Sequence, residues 1–331
     1  MAIGPMKKKI RLIEKALAAL EPHLSHCHLC PRECGTDRSR AGTGFCGGGR
    51  NAVVSTSLLH FGEEPVISGI SRCQDSSHLS GGSGTVFFSG CNLKCVFCQN
   101  YQISWENSGR KTKPEKLAEQ MLSLQDKGAL NINLVSPTIW ILPILEALRQ
   151  AIVHGLTIPV LWNSSGYEKP DIIRHLDGIV DIYLPDLKYM SSEAAQRYSG
   201  ARDYFIWASE ALKEMSCQQP VYKERRGAAV RGLIVRHLVL PGQVGDSLAL
   251  LGWMDITLPP TIALSLMNQY HPHFKAPEEI RRTLNAAEYA LVLERARKMD
   301  IDTLFFQLEP FGDKEHLFPD FNKNKPFHWS K

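Results

Sequence analysis

Long hydrophobic runs are missing. None of the 331 residues falls in an apolar stretch near the roughly 20 residues that span a bilayer, so no membrane helix is expected. Charge of one sign is scarce too. Lys and Arg number 38 against 34 Asp and Glu, and the net of +4 is mild, with no concentrated basic face to signal nucleic-acid binding. Glu14 and Lys15 interrupt the apolar stretch behind the basic start, which argues against an export signal. Ile10, Ile13, Leu17 and Leu20 recur at helical spacing instead, predicting a short amphipathic helix within 1–26 that lies on the body. The run GGSG (81–84) lacks the Lys-Ser/Thr of a phosphate loop and reads as a turn or flexible entry to a strand. With no export signal, nine cysteines of which seven fall in two close groups point to metal in a reducing cytoplasm rather than to disulfides.

What is present suits a packed enzyme-sized body. At 44% hydrophobic residues the chain can bury a sizeable core, as one large α/β domain or two smaller ones. The first cysteine group, Cys27, Cys30, Cys34 and Cys46, lies in a segment whose six glycines (35, 42, 44, 47, 48, 49) leave few core-forming residues. Four thiolates complete a tetrahedral site by themselves; zinc, a single iron or a second cluster each fit the count, and four reduced thiols in a loop are the bland alternative. With every position filled, a bound metal here would be structural. His26 and His28 read as solvated loop residues, Glu63 and Glu64 beside Pro65 as exposed loop acids, and Cys73 as a free thiol in a polar loop.

The second group organises the chain. Residues 90–99, GCNLKCVFCQ, hold Cys91, Cys95 and Cys98 in a CxxxCxxC spacing just after the strand-like 85–88. Three close thiolates suit a soft metal or an iron–sulfur cluster, and a four-iron cubane on three ligands leaves one iron open to a small chelating ligand. A zinc knuckle more often shows paired CxxC arms. From Thr85 onward strands and helices alternate. Strands are expected at 85–88, 132–135, 159–162, within 180–189, 232–242 and 261–267, with a further one at 304–307. Helices are expected at 114–127, 141–154, 169–177 and 192–217, then a short one ending near 255 and a long one over 277–299. Six such units make a partial barrel whose functional face is the C-terminal end of the strands.

The CxxxCxxC spacing, with the aromatic Phe97 before its last cysteine, resembles the signature of the radical S-adenosylmethionine (SAM) superfamily. GSGTVFFSGCNLKCVFCQNYQIS, WNSSGYE, DIYLPDLKY and RHLVLPG together resemble the branch containing pyruvate formate-lyase activating enzymes, and the upstream CxxCPxxC is similar to their uncharacterised homologues. The match covers about residues 27–310. It implies an α/β fold with a partial (β/α)6 radical SAM barrel over 85–310. Ahead of the barrel lie the helix 1–26 and a cysteine-rich segment with an approach loop, 27–84; a tail, 311–331, follows it. It also implies a [4Fe-4S] cluster on Cys91, Cys95 and Cys98 and SAM as co-substrate or cofactor. Ser136 and Thr138 stand where that superfamily has a Gly-Gly-Glu segment for the SAM amine, and Asn163 and Ser165 where the activases have an Asp-Thr-Asn-Gly. Asp186 and Lys188 are expected beside SAM, Arg236 on a carboxylate, and His271 or His273 near the nucleoside, with His237 packing on the opposite face from Arg236. The implied partners are a flavodoxin- or ferredoxin-type electron donor and, if the activase role transfers, a glycyl-radical enzyme. A non-catalytic iron–sulfur or zinc protein for electron transfer or assembly is the alternative.

Overall fold

The computed structural model describes residues 3–40, 44–69, 81–307, 318–323 and 325–327; Cys73 lies outside them. Ten strands form one sheet among these residues. They are β1 (Ala52–His60), β2 (Ser83–Phe88), β3 (Arg110–Thr112), β4 (Ile132–Val135) and β5 (Val160–Ser164). Then come β6 (Ile182–Pro185), β7 (Lys223–Arg225), β8 (Ala228–Leu238), β9 (Ala263–Met267) and β10 (Thr303–Phe306). The order is β10-β9-β8-β6-β5-β4-β2-β1-β3, with β7 paired to β8. The run from β2 to β10 is parallel, while β1 is antiparallel to both β2 and β3. This is the mixed α/β, mostly parallel architecture expected of a partial barrel. The parallel strands read as nearly continuous apolar runs because both faces are covered.

The helices are α1 (Ile3–Leu20), α2 (Pro65–Ser68), α3 (Tyr101–Ser104), α4 (Pro114–Asp126) and α5 (Ile141–Val153). They continue as α6 (Pro170–Arg174), α7 (Ser192–Ser199), α8 (Tyr204–Gln218), α9 (Val244–Thr257) and α10 (Ala286–Arg297). Helix α1 buries Ile13, Ala16 and Leu20 in the main core, and Lys9 ties it to Asp181 at 2.9 Å. Among the described residues no helix is long and apolar enough to cross a membrane.

Several elements depart from expectation for local reasons. Residues 52–60, taken with the approach loop, are a full strand; their β-branched content (AVVSTSLLH) is the signal. The stretch 192–217 divides at Gly200, which ends α7 in the left-handed conformation. The long C-terminal helix begins only at Ala286, because Asn285 and Glu288 form a reciprocal capping box there. Helix α9, expected to be short, runs 14 residues.

His237 is buried on the outer side of β8, as expected for packing. Its Nδ1 lies 2.7 Å from the Leu187 carbonyl and its Nε2 2.8 Å from Ser247 Oγ, so a neutral ring donates at one nitrogen and accepts at the other. Burial lowers its pKa from 6.5 to about 4. The group therefore contributes stability that is fully present above pH 6.5 and is lost as pH falls from 6.5 toward 4, by roughly 3 kcal/mol. Urea unfolding across that window should show the slope in the parent chain and lose it in His237→Gln.

Candidate functional site

Strand β2 ends at Phe88 and delivers the chain through Ser89 and Gly90 to the three cysteines. Gly90 has φ +82°, and a Cβ there would sit 2.6 Å from the Cys46 carbonyl oxygen, so only glycine lets the loop pass. The loop is held from outside: Trp140 Nε1 donates to the Ser89 carbonyl at 2.8 Å, and Arg32 Nε to that of Asn92 at 2.9 Å. Cys91, Cys95 and Cys98 then line one cavity of roughly 290 Å³ at the C-terminal ends of the strands. Each sulfur accepts one hydrogen bond. Leu93 N reaches Cys91 at 3.3 Å, Ser199 Oγ reaches Cys95 at 3.1 Å, and Ser104 Oγ reaches Cys98 at 3.2 Å. Phe97 packs edge-on against Tyr270.

Burial pushes the Cys98 thiol up to about 12 and raises Cys91 as well. Thiols in such surroundings give up their protons at neutral pH only to a cation. Among the described residues no three His, Cys, Asp or Glu side chains are drawn in closely enough to hold a single metal ion. A cubane meets each thiolate at a different iron and spreads the sulfurs wider. Three hydrogen-bonded thiols around one cavity fit a [4Fe-4S] cluster with one open iron.

Facing the thiols are most of the residues expected to surround SAM. Ser136, after β4, adopts φ +60°, a left-handed conformation that a residue other than glycine keeps only when its surroundings impose it. It lines the cavity with Asn163 and Ser165. Ser165 Oγ is buried with no hydrogen-bond partner among the described residues, an orphan that a bound polar group would satisfy. Asp186 and Lys188 do point inward together, their ion pair closing at 2.5 Å. Burial lowers the Lys188 pKa, but Asp186 more than offsets this and the net shift is upward, so the ammonium stays charged.

Thr138 is a correction. It is turned away from the cavity, and its hydroxyl donates to Glu168 Oε1 at 2.8 Å. Glu168 is the residue that sequence reasoning missed, though it ends the WNSSGYE motif. Trp162 Nε1 donates to it at 2.9 Å and Ser164 Oγ at 2.5 Å, so one buried carboxylate joins the segments after β4 and β5. Burial raises its pKa; the three donors pull the other way without cancelling the shift. Glu168→Leu would leave Thr138, Trp162 Nε1 and Ser164 without their shared acceptor. We expect about tenfold weaker SAM binding, equivalent to 1.4 kcal/mol, with iron content unchanged. Equilibrium dialysis against SAM checks it.

The second correction concerns Glu63 and Glu64. They are not exposed acids: each side chain is only 8% accessible. The turn after β1 carries them in against strands β4, β8 and β9, with Glu63 lining the cavity, and α2 seats Ile67 among Leu161, Ile182, Leu184 and Ile234. There they occupy Arg236, which the sequence assigned to a ligand carboxylate. Arg236 Nε donates to Glu64 Oε1 at 2.8 Å and Nη2 is shared between Glu63 and Glu64. Ser265 Oγ and Asn133 Nδ2 complete the carboxylates at 2.7 and 3.0 Å. Burial raises the Glu63 pKa, but Arg236 and His60 outweigh it and hold the carboxyl well below the usual range. Arg236 still lines the cavity. Two acids beside a proline look solvated in sequence because their cation lies more than 170 residues away.

His271 lines the cavity; His273 does not, and instead packs its ring on Tyr101 and Phe318. Cys27, Cys30 and Cys46 are buried in one neighbourhood, where burial lifts Cys30 to about 12, and Cys34 stands at its edge. The buried Arg38 guanidinium donates to Cys27 Sγ at 3.5 Å.

The sequence profile described as Radical SAM superfamily matches residues 85–219. An uncharacterised protein of Methanocaldococcus jannaschii, MJ0674, is 30% identical over 309 residues, covering 90% of this chain and 82% of that protein. The chain belongs to the radical SAM superfamily. Radical SAM membership carries with it a [4Fe-4S] cluster and SAM, which the cavity's donor set fits. Solved structures with matching elements include Streptococcus suis SuiB bound to its precursor peptide SuiA, at 13% identity and TM-score 0.45, covering 66% of this chain. The methylornithine synthase PylB matches at 13% identity and TM-score 0.40, covering 68% of this chain and 70% of PylB. This radical SAM chain spans about half the length of the SuiB chain it matches, 46% of it.

Proposed function

We propose that this radical SAM protein is an enzyme that cleaves SAM reductively and uses the product radical to abstract hydrogen from a bound substrate, in the manner of pyruvate formate-lyase activating enzymes. The observation that carries this reading is the single cavity in which Cys91, Cys95 and Cys98 face Ser136, Asn163, Ser165 and the Asp186–Lys188 pair. With SAM and the cluster bound, one electron delivered through the cluster splits the sulfonium into methionine and a 5′-deoxyadenosyl radical, which becomes 5′-deoxyadenosine on taking a hydrogen atom.

The chain supplies the rest. Cys91, Cys95 and Cys98 hold iron, and Ser104, Ser199 and the Leu93 amide temper the charge on their sulfurs. Ser136, Asn163 and Ser165 offer polar contacts to SAM, held in register by Glu168 behind them. Asp186 and Lys188 supply one fixed charge of each sign, and His271 borders the same space. Phe87, Leu238, Met267 and Phe327 keep water from a radical site. The electron comes from a flavodoxin- or ferredoxin-type donor in the cytoplasm. The quartet Cys27, Cys30, Cys34 and Cys46 would take a second, structural metal or cluster by drawing its thiols closer than they stand here; three of the four are buried in a glycine-rich segment with little core of its own.

Anaerobically reconstituted protein tests the reading. A reduced [4Fe-4S] EPR signal that changes on adding SAM, with 5′-deoxyadenosine formed, is expected, along with metal beyond one cluster per chain. Protein that binds only zinc and leaves SAM intact would instead be the non-catalytic electron-transfer or assembly protein.

A further inference from the structure

The sheet does not close on itself: β3 and β10 remain as its two ends. Residues 318–323 and 325–327 link the two sides of the resulting seam. Phe318 packs on His271 and His273, after β9. Phe321 and Phe327 pack on Phe87 of β2, at 5.4 and 5.5 Å between ring centroids, and Phe327 also on His60 at 4.7 Å. Gln102 of α3 fastens the segment at two points, accepting from Phe321 N at 2.7 Å and donating to Asp320 Oδ1 at 3.1 Å. Phe321 and Phe327 are buried, and Pro319 and Phe327 face the same cavity as the three thiols.

We propose that residues 318–323 and 325–327 are the outer wall of the substrate chamber and that the chamber takes a small molecule with an apolar face rather than a polypeptide loop. This rests on the radical reading above. The cavity, roughly 290 Å³, lies at the lower end of small-molecule sites and must also hold SAM. Five residues of extended polypeptide need about 17 Å of open path. The route through the seam is filled by aromatic rings, and a polypeptide loop would have to displace them. The apolar lining, Phe87, Leu238, Met267 and Phe327, favours a substrate that buries carbon surface at the reacting end.

The test uses reconstituted full-length enzyme, the F321A/F327A double variant and F327A alone, the last keeping Phe321 in case the double variant does not fold. Each is given SAM and reductant with either a fully deuterated metabolite extract or a fully deuterated tryptic peptide mixture. Deuterium in 5′-deoxyadenosine is read by mass spectrometry. The parent enzyme should take deuterium from the metabolite extract and not from peptides, and the variants from both. The variants should also lose cluster iron to a chelator roughly tenfold faster, as expected when local opening becomes easier. Deuterium transfer from peptides to the parent enzyme at the variants' rate would overturn the proposal, as would unchanged iron loss. If the parent enzyme forms no 5′-deoxyadenosine, the radical reading fails, while the chelator rates still decide whether the segment is a wall.

Discussion

Cys95→Ala should fold normally and form 5′-deoxyadenosine more than about a thousandfold more slowly than the parent chain, a loss of roughly 4 kcal/mol or more in transition-state stabilisation. Three thiolates are the least that leave a cubane with one open iron. Removing one exposes a second iron, and the cluster is no longer held. Cys95 is buried against Ser199, so the truncation leaves a small polar gap rather than a disturbed core. Anaerobic iron analysis should find one cluster fewer, with unchanged circular dichroism. Cys217→Ala, at an exposed thiol on α8 outside the cavity, is the control and should match the parent in both respects. A Cys95→Ala protein that still cleaves SAM would move the cluster elsewhere.

The second large effect belongs to the buried ion cluster of Arg236, Glu63 and Glu64. Arg236→Ala leaves Glu63 and Glu64 buried without their cation, and losing one partner of a buried pair costs about 3–5 kcal/mol. The pH dependence identifies the cause. In the parent chain the Glu63 pKa lies below its ordinary value of 4.5, so its contribution is present above pH 4.5 and is lost only as pH falls below that. In Arg236→Ala the Glu63 carboxyl loses the largest charge that held it down, and desolvation raises its pKa. Relative to the parent, in which Glu63 contributes no slope between pH 7 and 5, the variant should therefore gain stability as pH drops across that range. Urea midpoints at both pH values measure this, and parallel profiles would show that Arg236 does not hold the two acids ionised.

The grouping of Cys91, Cys95 and Cys98 at one cavity and the parallel β/α order were legible because they are local. CxxxCxxC places three thiols within eight residues, and strands β4 and β9 announce themselves by apolar runs between turns. Ser136, Asn163, Ser165, Asp186, Lys188, Arg236 and His271, expected from the sequence around SAM, all border the cavity with the three cysteines, since each lies at or just after the end of a strand. Thr138 failed because one residue along a tight turn reverses a side chain's direction. Its hydroxyl found Glu168 30 residues later, a pairing with no local signature.

By itself, then, the sequence determined the chemistry at the cysteines, the parallel sheet and the edge on which the site lies, because short-range spacing and hydrophobic periodicity encode these. Only the tertiary structure decided that Arg236 is held by Glu63 and Glu64, that Glu168 braces the loops, and that Phe321 and Phe327 pack on Phe87. Each of these joins residues 30 to more than 200 positions apart, with a buried charge or ring whose partner no local pattern names. Exposure of an acid or an aromatic is a property of what folds over it, and that is settled only when distant segments meet.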